Sequence, residues 1–344
     1  MLKKLFITAI VFTCFSACID PLEVEIKNDG TSLVVYAEVT DQAERYTVQL
    51  SRTSNYESGL PEKETNAFVE VIDLDGNEYQ FVEEKPGTYR SCPADFVGEV
   101  NGSYKLRIST QDEKVYESDF EKIIPTGKVE SVYFNKEEVF ELVDGRSRPI
   151  QGLKFYCDFS DTPDKDYYKL DWEGTFQFRS APQDSLHEYC WITESSTMDI
   201  NLYEDSFTNN STKEAFELAF LEKGFRFVVD YSFQVQLKSI NAGAYNFWRL
   251  VEQQYNNDGS IFSALPAQIG SNIKCVSNED ENVLGYFMTS AVSSQRVRVS
   301  PYDIDSPNSV ISGCRPFRPN DPIQDYCYDC SLYPNSVAEQ PDYW

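Results

Sequence analysis

The stretch AFVEVIDLDGNEYQFVEE, at residues 67–84, decides the fold class of this chain. Apolar and polar residues alternate on both sides of Asp75-Gly76, as they do in strands with one buried face. Asp-Gly favours a tight turn because such a turn needs a positive φ, which glycine adopts without strain. The stretch therefore predicts a β-hairpin.

Strand-like runs continue on both sides of this hairpin. LVVYAEV (33–39) precedes it, and GSYKLRIST (102–110) follows it. Short alternating strands separated by turn residues are typical of a small β-sandwich. We therefore expect a β-sandwich domain at residues 30–122.

A larger β-rich domain is expected at residues 128–344, after the linker Ile-Pro-Thr-Gly at 124–127. One segment of it, NAGAYNFWRLVEQQYNN (241–257), has helical rather than strand periodicity. The apolar residues that share one helix face are Ala244, Trp248, Val251 and Tyr255. Asn241 is a suitable N-cap and Asp258-Gly259 a suitable stop, so we predict one amphipathic helix that packs on a sheet.

The N-terminus, MLKKLFITAIVFTCFSAC, has the composition of a lipoprotein signal peptide over residues 1–17. Lys3 and Lys4 precede an apolar run that is too short to span a bilayer, and small residues precede Cys18. Cysteine after Ser-Ala resembles the bacterial lipobox, which predicts Cys18 as the lipid attachment site. The alternative is an ordinary secretory signal with a chance cysteine, and both alternatives predict export from the cytoplasm.

Acidic residues follow Cys18 within an expected tether at residues 18–29: Asp20, Glu23 and Glu25. This stretch resembles the export signal of Bacteroidota lipoproteins that reach the outer face of the outer membrane. We expect a lipid-anchored protein of the outer membrane that faces the cell exterior. An ordinary acidic linker is the alternative.

The charge of the chain limits its partners. The formal net charge is −26, and removal of Lys3 and Lys4 with the signal peptide would lower it to −28. Phosphates of nucleic acid and anionic lipid surfaces would repel such a protein, so we expect neither as a main partner. A basic partner fits the charge.

The sequence CYDC at residues 327–330 allows a redox site, half of a zinc site or a disulfide. A zinc site would need a second paired motif, and a redox site would need an α/β unit. We favour a disulfide that joins Cys314 to Cys327 or Cys330, in a compartment that permits such bonds. Cys157, in a strand-like run, is expected to be a buried thiol.

Catalytic chemistry finds little support in the sequence. His187 is the only histidine, which limits any nucleophilic triad to that residue. Asp73, Asp75 and Asn77 have calcium-loop spacing, but the glutamate that completes such a loop is missing. We therefore predict no catalytic residue, no metal and no cofactor. A hydrolase that acts through carboxylates remains a minor alternative.

Several stretches together resemble one Bacteroidota lipoprotein family, the domain of unknown function 4249. They are YYKLDWEGTFQF (167–178), YSFQVQLKSINAGAYNFW (231–248), GSIFSALPAQIGSNIKC (259–275), VLGYF (283–287) and the terminal CYDC…PDYW. The resemblance implies an outer-membrane lipoprotein with an N-terminal immunoglobulin-like or transthyretin-like sandwich. It also implies a neighbouring TonB-dependent, SusC-like transporter, but no established activity and no catalytic residues. The tail departs from the family, because SLYPNSVAEQ replaces a glycine-rich stretch.

The leading functional hypothesis is a binding or capping subunit that assists a TonB-dependent barrel in nutrient uptake. The alternative is a structural or assembly subunit of an outer-membrane complex. If the protein is deleted, an uptake defect limited to one nutrient would favour the first hypothesis. Loss of several unrelated outer-membrane proteins would favour the second.

Overall fold

A computed structural model of the chain describes residues 31–54, 61–143, 145–164, 166–180, 187–195, 199–205, 211–256, 269–304 and 324–344. The predicted signal peptide, the tether and five predicted site residues lie outside these ranges: Cys18, Asp20, Glu23, Glu25 and Cys314. Within them the fold is mainly β, with one α-helix and four short 3-10 turns, which confirms the predicted fold class.

The strands, in chain order, are β1 (Leu33–Thr40), β2 (Thr47–Arg52), β3 (Glu62–Lys63), β4 (Phe68–Asp73), β5 (Glu78–Lys85), β6 (Thr88–Arg90), β7 (Ser103–Ser109), β8 (Val115–Ser118), β9 (Glu121–Lys122), β10 (Lys128–Val143), β11 (Arg146–Ser160), β12 (Tyr167–Arg179), β13 (Tyr189–Ser195), β14 (Asn201–Glu204), β15 (Thr212–Glu222), β16 (Tyr231–Ile240), β17 (Ile273–Cys275), β18 (Val283–Ser290), β19 (Val292–Val299) and β20 (Ser336–Val337). The helix α1 (Ala242–Tyr255) lies between β16 and β17. The predicted hairpin is β4 and β5, and its turn contains Gly76 at φ +86°.

The first body of the molecule is an eleven-stranded, nearly closed sheet with the order β17-β8-β7-β4-β5-β6-β2-β1-β18, to which β3 and β9 are added. Strand β5 pairs with β4 through its first half and with β6 through its second half, so it joins the two halves of the sheet. The first body is thus one continuous curled sheet, where a β-sandwich would have two separate sheets. Its apolar face encloses one core.

Residues 273–290 belong to this first sheet, although the sequence had placed them in the second domain. Strand β18 runs parallel to β1, and a parallel pair needs a long crossover, so the partner of β1 comes from far along the chain. Gly285, at φ +98°, is required there because a Cβ would lie 1.8 Å from the Val35 carbonyl oxygen. The predicted boundary between residues 122 and 128 therefore does not separate two bodies that are each continuous in sequence.

The second body consists of two sheets that face each other. The first has the order β10-β11-β15, and the second has the order β19-β16-β12-β13-β20 with β14 added to β12. Phe155 and Phe233 stack across the gap with ring centroids 4.0 Å apart. Along β12, Tyr168 and Leu170 point into this core and Lys169 lies on the opposite face, because successive side chains of a strand point to opposite faces.

Helix α1 begins where the sequence predicted. The Asn241 side chain accepts a hydrogen bond from the Ala244 amide at 2.8 Å. The helix ends at Tyr255 with Asn256 as C-cap, and the predicted stop at 258–259 lies outside the described residues. Ala244 is buried against Tyr286 of β18, whereas Tyr255 is 59% exposed, so only the first turns of the predicted face pack closely.

The C-terminal segment is attached to β13. Cys330 forms a disulfide with Cys190, 140 residues earlier, and β20 pairs with β13 just beyond it. The predicted alternative of Cys314 with Cys330 is therefore wrong, because the pairing of β20 with β13 brings Cys330 to Cys190. Cys327 is disulfide-bonded as well. Cys157 is a buried free thiol, as predicted, and burial raises its pKa to about 12.

Candidate functional site

A cleft of about 600 Å³ lies where the two bodies and α1 meet. The residues that line it come from β1, β2, β12, β13, β16, α1 and the segment 199–200, and include Tyr36, Gln49, Lys169, Asp171, Glu173, Asp199, Gln236, Trp248 and Tyr255. Aromatic rings beside a few polar groups are the usual composition of a ligand site. A larger cavity, about 750 Å³, lies beside β17 and β18 and is lined by residues between Ile269 and Leu284.

A chain of buried charges crosses the base of the cleft and links the bodies. Lys169 pairs with Asp171 on β12, and Lys238 Nζ lies 3.0 Å from the other Asp171 oxygen. The same Lys238 ammonium contacts Glu38 of β1 at 2.8 Å, and Ser290 donates to the second Glu38 oxygen. Four charges from three strands therefore form one alternating series.

Asp171 and Lys238 stay ionised because each faces opposite charges. Burial acts to raise the pKa of Asp171, but Lys238 and Lys169 outweigh it and hold that pKa well below its usual range. Burial acts to lower the pKa of Lys238, but Glu38 and Asp171 raise it well above its usual range. Lys238 is thus a permanent cation at the base of the cleft.

Aromatic rings form the wall of the cleft. Tyr36 of β1 and Trp248 of α1 meet edge to face with ring centroids 6.2 Å apart. The Lys169 ammonium lies 4.9 Å from the Trp248 ring centroid, a cation–π contact. Trp248 Nε1 is buried and has no hydrogen-bond partner among the described residues. Tyr255 adds a largely exposed ring at the rim.

Two carboxylates of the cleft have no cation paired to them in the described part of the chain. Glu173 of β12 makes no hydrogen bond or salt bridge within the described ranges. Burial raises its pKa, an effect that Arg296 opposes and Glu44 reinforces. Asp199 accepts a hydrogen bond from Trp172 Nε1 at 3.3 Å but forms no salt bridge to any described residue. The cleft therefore carries an excess of negative charge.

The last residues of the chain lie on the outer face of the six-stranded sheet, beyond Glu173. The Tyr343 ring stacks on the Arg296 guanidinium at 3.6 Å, and its hydroxyl is 2.8 Å from Thr175 Oγ1. Trp344 packs on Arg298 at 4.8 Å. The aromatic C-terminus thus covers the sheet next to the cleft.

Other residues that the sequence singled out have structural roles. Burial acts to raise the pKa of Asp73, but hydrogen bonds from Asn77, Tyr79 and the Asp75 amide lower it and tighten the β4–β5 turn. No group of three metal-ligating side chains occurs in the part of the chain that the structure covers. His187 is exposed beside Asp329 of the tail, at 3.4 Å, and does not line the cleft.

Sequence reasoning missed the cleft because its residues are dispersed from position 36 to position 255. Only the pairing of β1 with β18 brings Tyr36 to α1. The alternation in YYKLDW was the one available signal, since it placed Lys169 and Asp171 on the face opposite the core.

A family model described as a domain of unknown function, DUF4249, matches residues 19–296. The chain belongs to this family. The DUF4249 match extends from just after Cys18 into β19, so every residue that lines the cleft lies within it. A search of curated proteins found no match to the chain. Among its described helices, none has the length and apolar character needed to cross a membrane.

Proposed function

We propose that this DUF4249 protein is a surface-exposed outer-membrane lipoprotein that binds cargo for a TonB-dependent, SusC-like transporter. The observation that carries the proposal is the cleft between the two bodies, which combines aromatic walls with unpaired carboxylates. Lipid attachment at Cys18 and export directed by Asp20, Glu23 and Glu25 would hold this cleft at the cell surface.

Binding fits the cleft better than catalysis does. Its wall contains no imidazole, since the single histidine lies elsewhere. A lysine nucleophile needs a lowered pKa, whereas the pKa of Lys238 is raised. The charged groups at the base are engaged with one another and form a fixed floor.

The test is purification of the tagged, full-length protein from gently solubilised native outer membrane, with mass spectrometry of the proteins that accompany it. We expect a TonB-dependent barrel in near-stoichiometric amount. The matched control is Cys18→Ala, which removes the lipid attachment site and should abolish this recovery. Recovery of the wild-type protein with no barrel would contradict the proposal.

A structural or assembly role is the second candidate, and the long hairpin of β10 and β11 favours it. Phe140 and Leu142, near the tip of this hairpin, are 69% and 76% exposed. This exposure is greater than that of large apolar side chains in a hairpin that only contributes to a core. In the same experiment, recovery of general outer-membrane assembly factors instead of one barrel would favour this role.

A further inference from the structure

The charges of the cleft do not balance. Lys169 and Lys238 are matched by Asp171 and Glu38 through contacts that hold each ammonium in place. Glu173 and Asp199 form no salt bridge with any residue that the structure describes. Arg296, whose charge acts on the Glu173 carboxylate, donates to Ser232 Oγ at 2.9 Å and to Gln234 Oε1 at 2.6 Å and is stacked beneath Tyr343.

The aromatic wall already shows which kind of group it accepts. The face of an indole ring attracts ammonium and guanidinium groups, more strongly as water is removed. Lys169 makes this contact with Trp248 from the protein side. Tyr36 and Tyr255 place further rings around the same space.

We propose that the cleft binds an organic cation, of the alkylammonium or guanidinium type, presented by the lysine or arginine side chain of a short basic peptide. This inference rests on the proposed function, in which the cleft is the cargo site, and names its ligand class. A cation would pair with Glu173 and Asp199 while it packs on the rings. A neutral ligand would cover the Glu173 carboxylate and leave it unpaired, which is costly.

The whole molecule supports the same ligand class. A net charge of −26 attracts cations over long range and repels anionic cargo. Burial raises the pKa of Glu173, because a partly buried carboxylate is less well solvated in its charged form. Pairing with a cation would remove that penalty.

The test is isothermal titration calorimetry of the full-length lipoprotein in detergent with the peptide acetyl-Lys-Gly-Lys-amide. The matched probe carries Nε-acetyl groups on both lysines, which keeps the side chains but removes their charge. We expect binding of the charged peptide only. Glu173→Gln and Asp199→Asn should each weaken it by about tenfold, as for close charge pairs at other interfaces.

The control variant is Glu62→Gln, an exposed carboxylate on β3 that does not line the cleft and whose removal changes the net charge equally. It should bind like the wild type. Equal weakening by Glu62→Gln and Glu173→Gln would show general attraction to an acidic protein and overturn the inference. Thermal melting of each variant confirms that it is folded, and the exposed Asp199 provides a second position if Glu173→Gln melts early.

Neutral cargo is tested with maltohexaose in the same titration. Binding of this sugar that Glu173→Gln abolishes, or absence of heat with the charged peptide at millimolar concentration, would overturn the inference. Such a failure differs from failure of the proposed function. A barrel recovered from membranes with no peptide binding refutes only the ligand class, and peptide binding with no barrel refutes only the transporter.

Discussion

Among single residues, the Asp161 carboxyl makes stability depend on pH. Burial and the neighbouring Asp205 raise its pKa to about 6 from 3.8, although the Tyr168 hydroxyl donates to it at 2.8 Å. The folded state therefore holds this proton more tightly than the unfolded state. Its contribution is complete below about pH 4 and is lost as the pH rises through 6.

Asp161→Asn, which cannot ionise, should therefore raise the melting temperature at neutral pH and have a smaller effect near pH 4. Thermal unfolding of the full-length protein from about pH 4 to pH 8 measures this difference. Asp164→Asn, an exposed carboxylate in the same loop, is the control and should change little at either pH. A melting temperature that rises by the same amount at all pH values would contradict this account of Asp161.

Asn272 closes the seam of the first sheet with its side chain. Its amide donates to the Phe287 carbonyl at 2.8 Å and accepts from the Phe287 amide at 3.0 Å, as a backbone partner would. The amide also donates to the buried Glu121 carboxylate, to which the Tyr286 hydroxyl donates as well. Asn272 lies in the string at residues 259–275 that resembles the DUF4249 family, and these contacts give a physical reason for an asparagine at that position.

Asn272→Ala should destabilise the protein by about 2–4 kcal/mol, because it leaves several buried polar groups unpaired. Urea unfolding of the full-length protein measures this loss. Asn278→Ala, in the exposed turn before β18, is the control and should change stability by less than about 0.5 kcal/mol. Equal losses at the two positions would show that the seam does not depend on the Asn272 side chain.

At the scale of elements, local patterns predicted what local physics decides. The β4–β5 hairpin follows from Asp75-Gly76, and α1 follows from its N-cap and the spacing of its apolar residues. The tail was predicted less well. The motif CYDC suggested a nearby partner, but β20 pairs with β13, and this contact between distant elements selects Cys190 for Cys330.

The Cys190–Cys330 disulfide closes a loop with a sequence separation of 140 residues, so it should restrict the unfolded chain strongly. Replacing both cysteines by serine should cost up to about 5 kcal/mol in the loop-entropy view and lower the melting temperature. Differential scanning calorimetry measures the shift. Cys92→Ser, at an exposed free cysteine, is the control. An unchanged melting temperature in the double variant would show that β20 holds the tail without the disulfide.

At the scale of the whole molecule, the connection between the bodies could not be read from sequence. Residues 273–290 leave the second body, complete the first sheet and return as β19. This excursion places Tyr36, α1 and β12 around one cleft. Hydrophobic alternation specifies which face of a strand is buried, but it carries no information about which distant strand pairs with it. The fold class was therefore predictable and the candidate site was not.

The alternating charges at the base of the cleft should make the two bodies unfold together. Lys238→Met removes the central cation, which leaves the buried Glu38 without a salt bridge to any described residue and Asp171 paired with Lys169 alone, and should cost about 3–5 kcal/mol. Adding Glu38→Gln removes the carboxylate that lost its cation and should recover part of that loss. Urea unfolding, followed by tryptophan fluorescence and by circular dichroism, measures both effects.

If the charges couple the bodies, the two signals coincide in the wild type and separate in Lys238→Met, because all four tryptophans lie in the second body and in α1 or the tail. Coincident transitions in the variant would mean that the strand exchange through β17 and β18 joins the bodies without help from the charges.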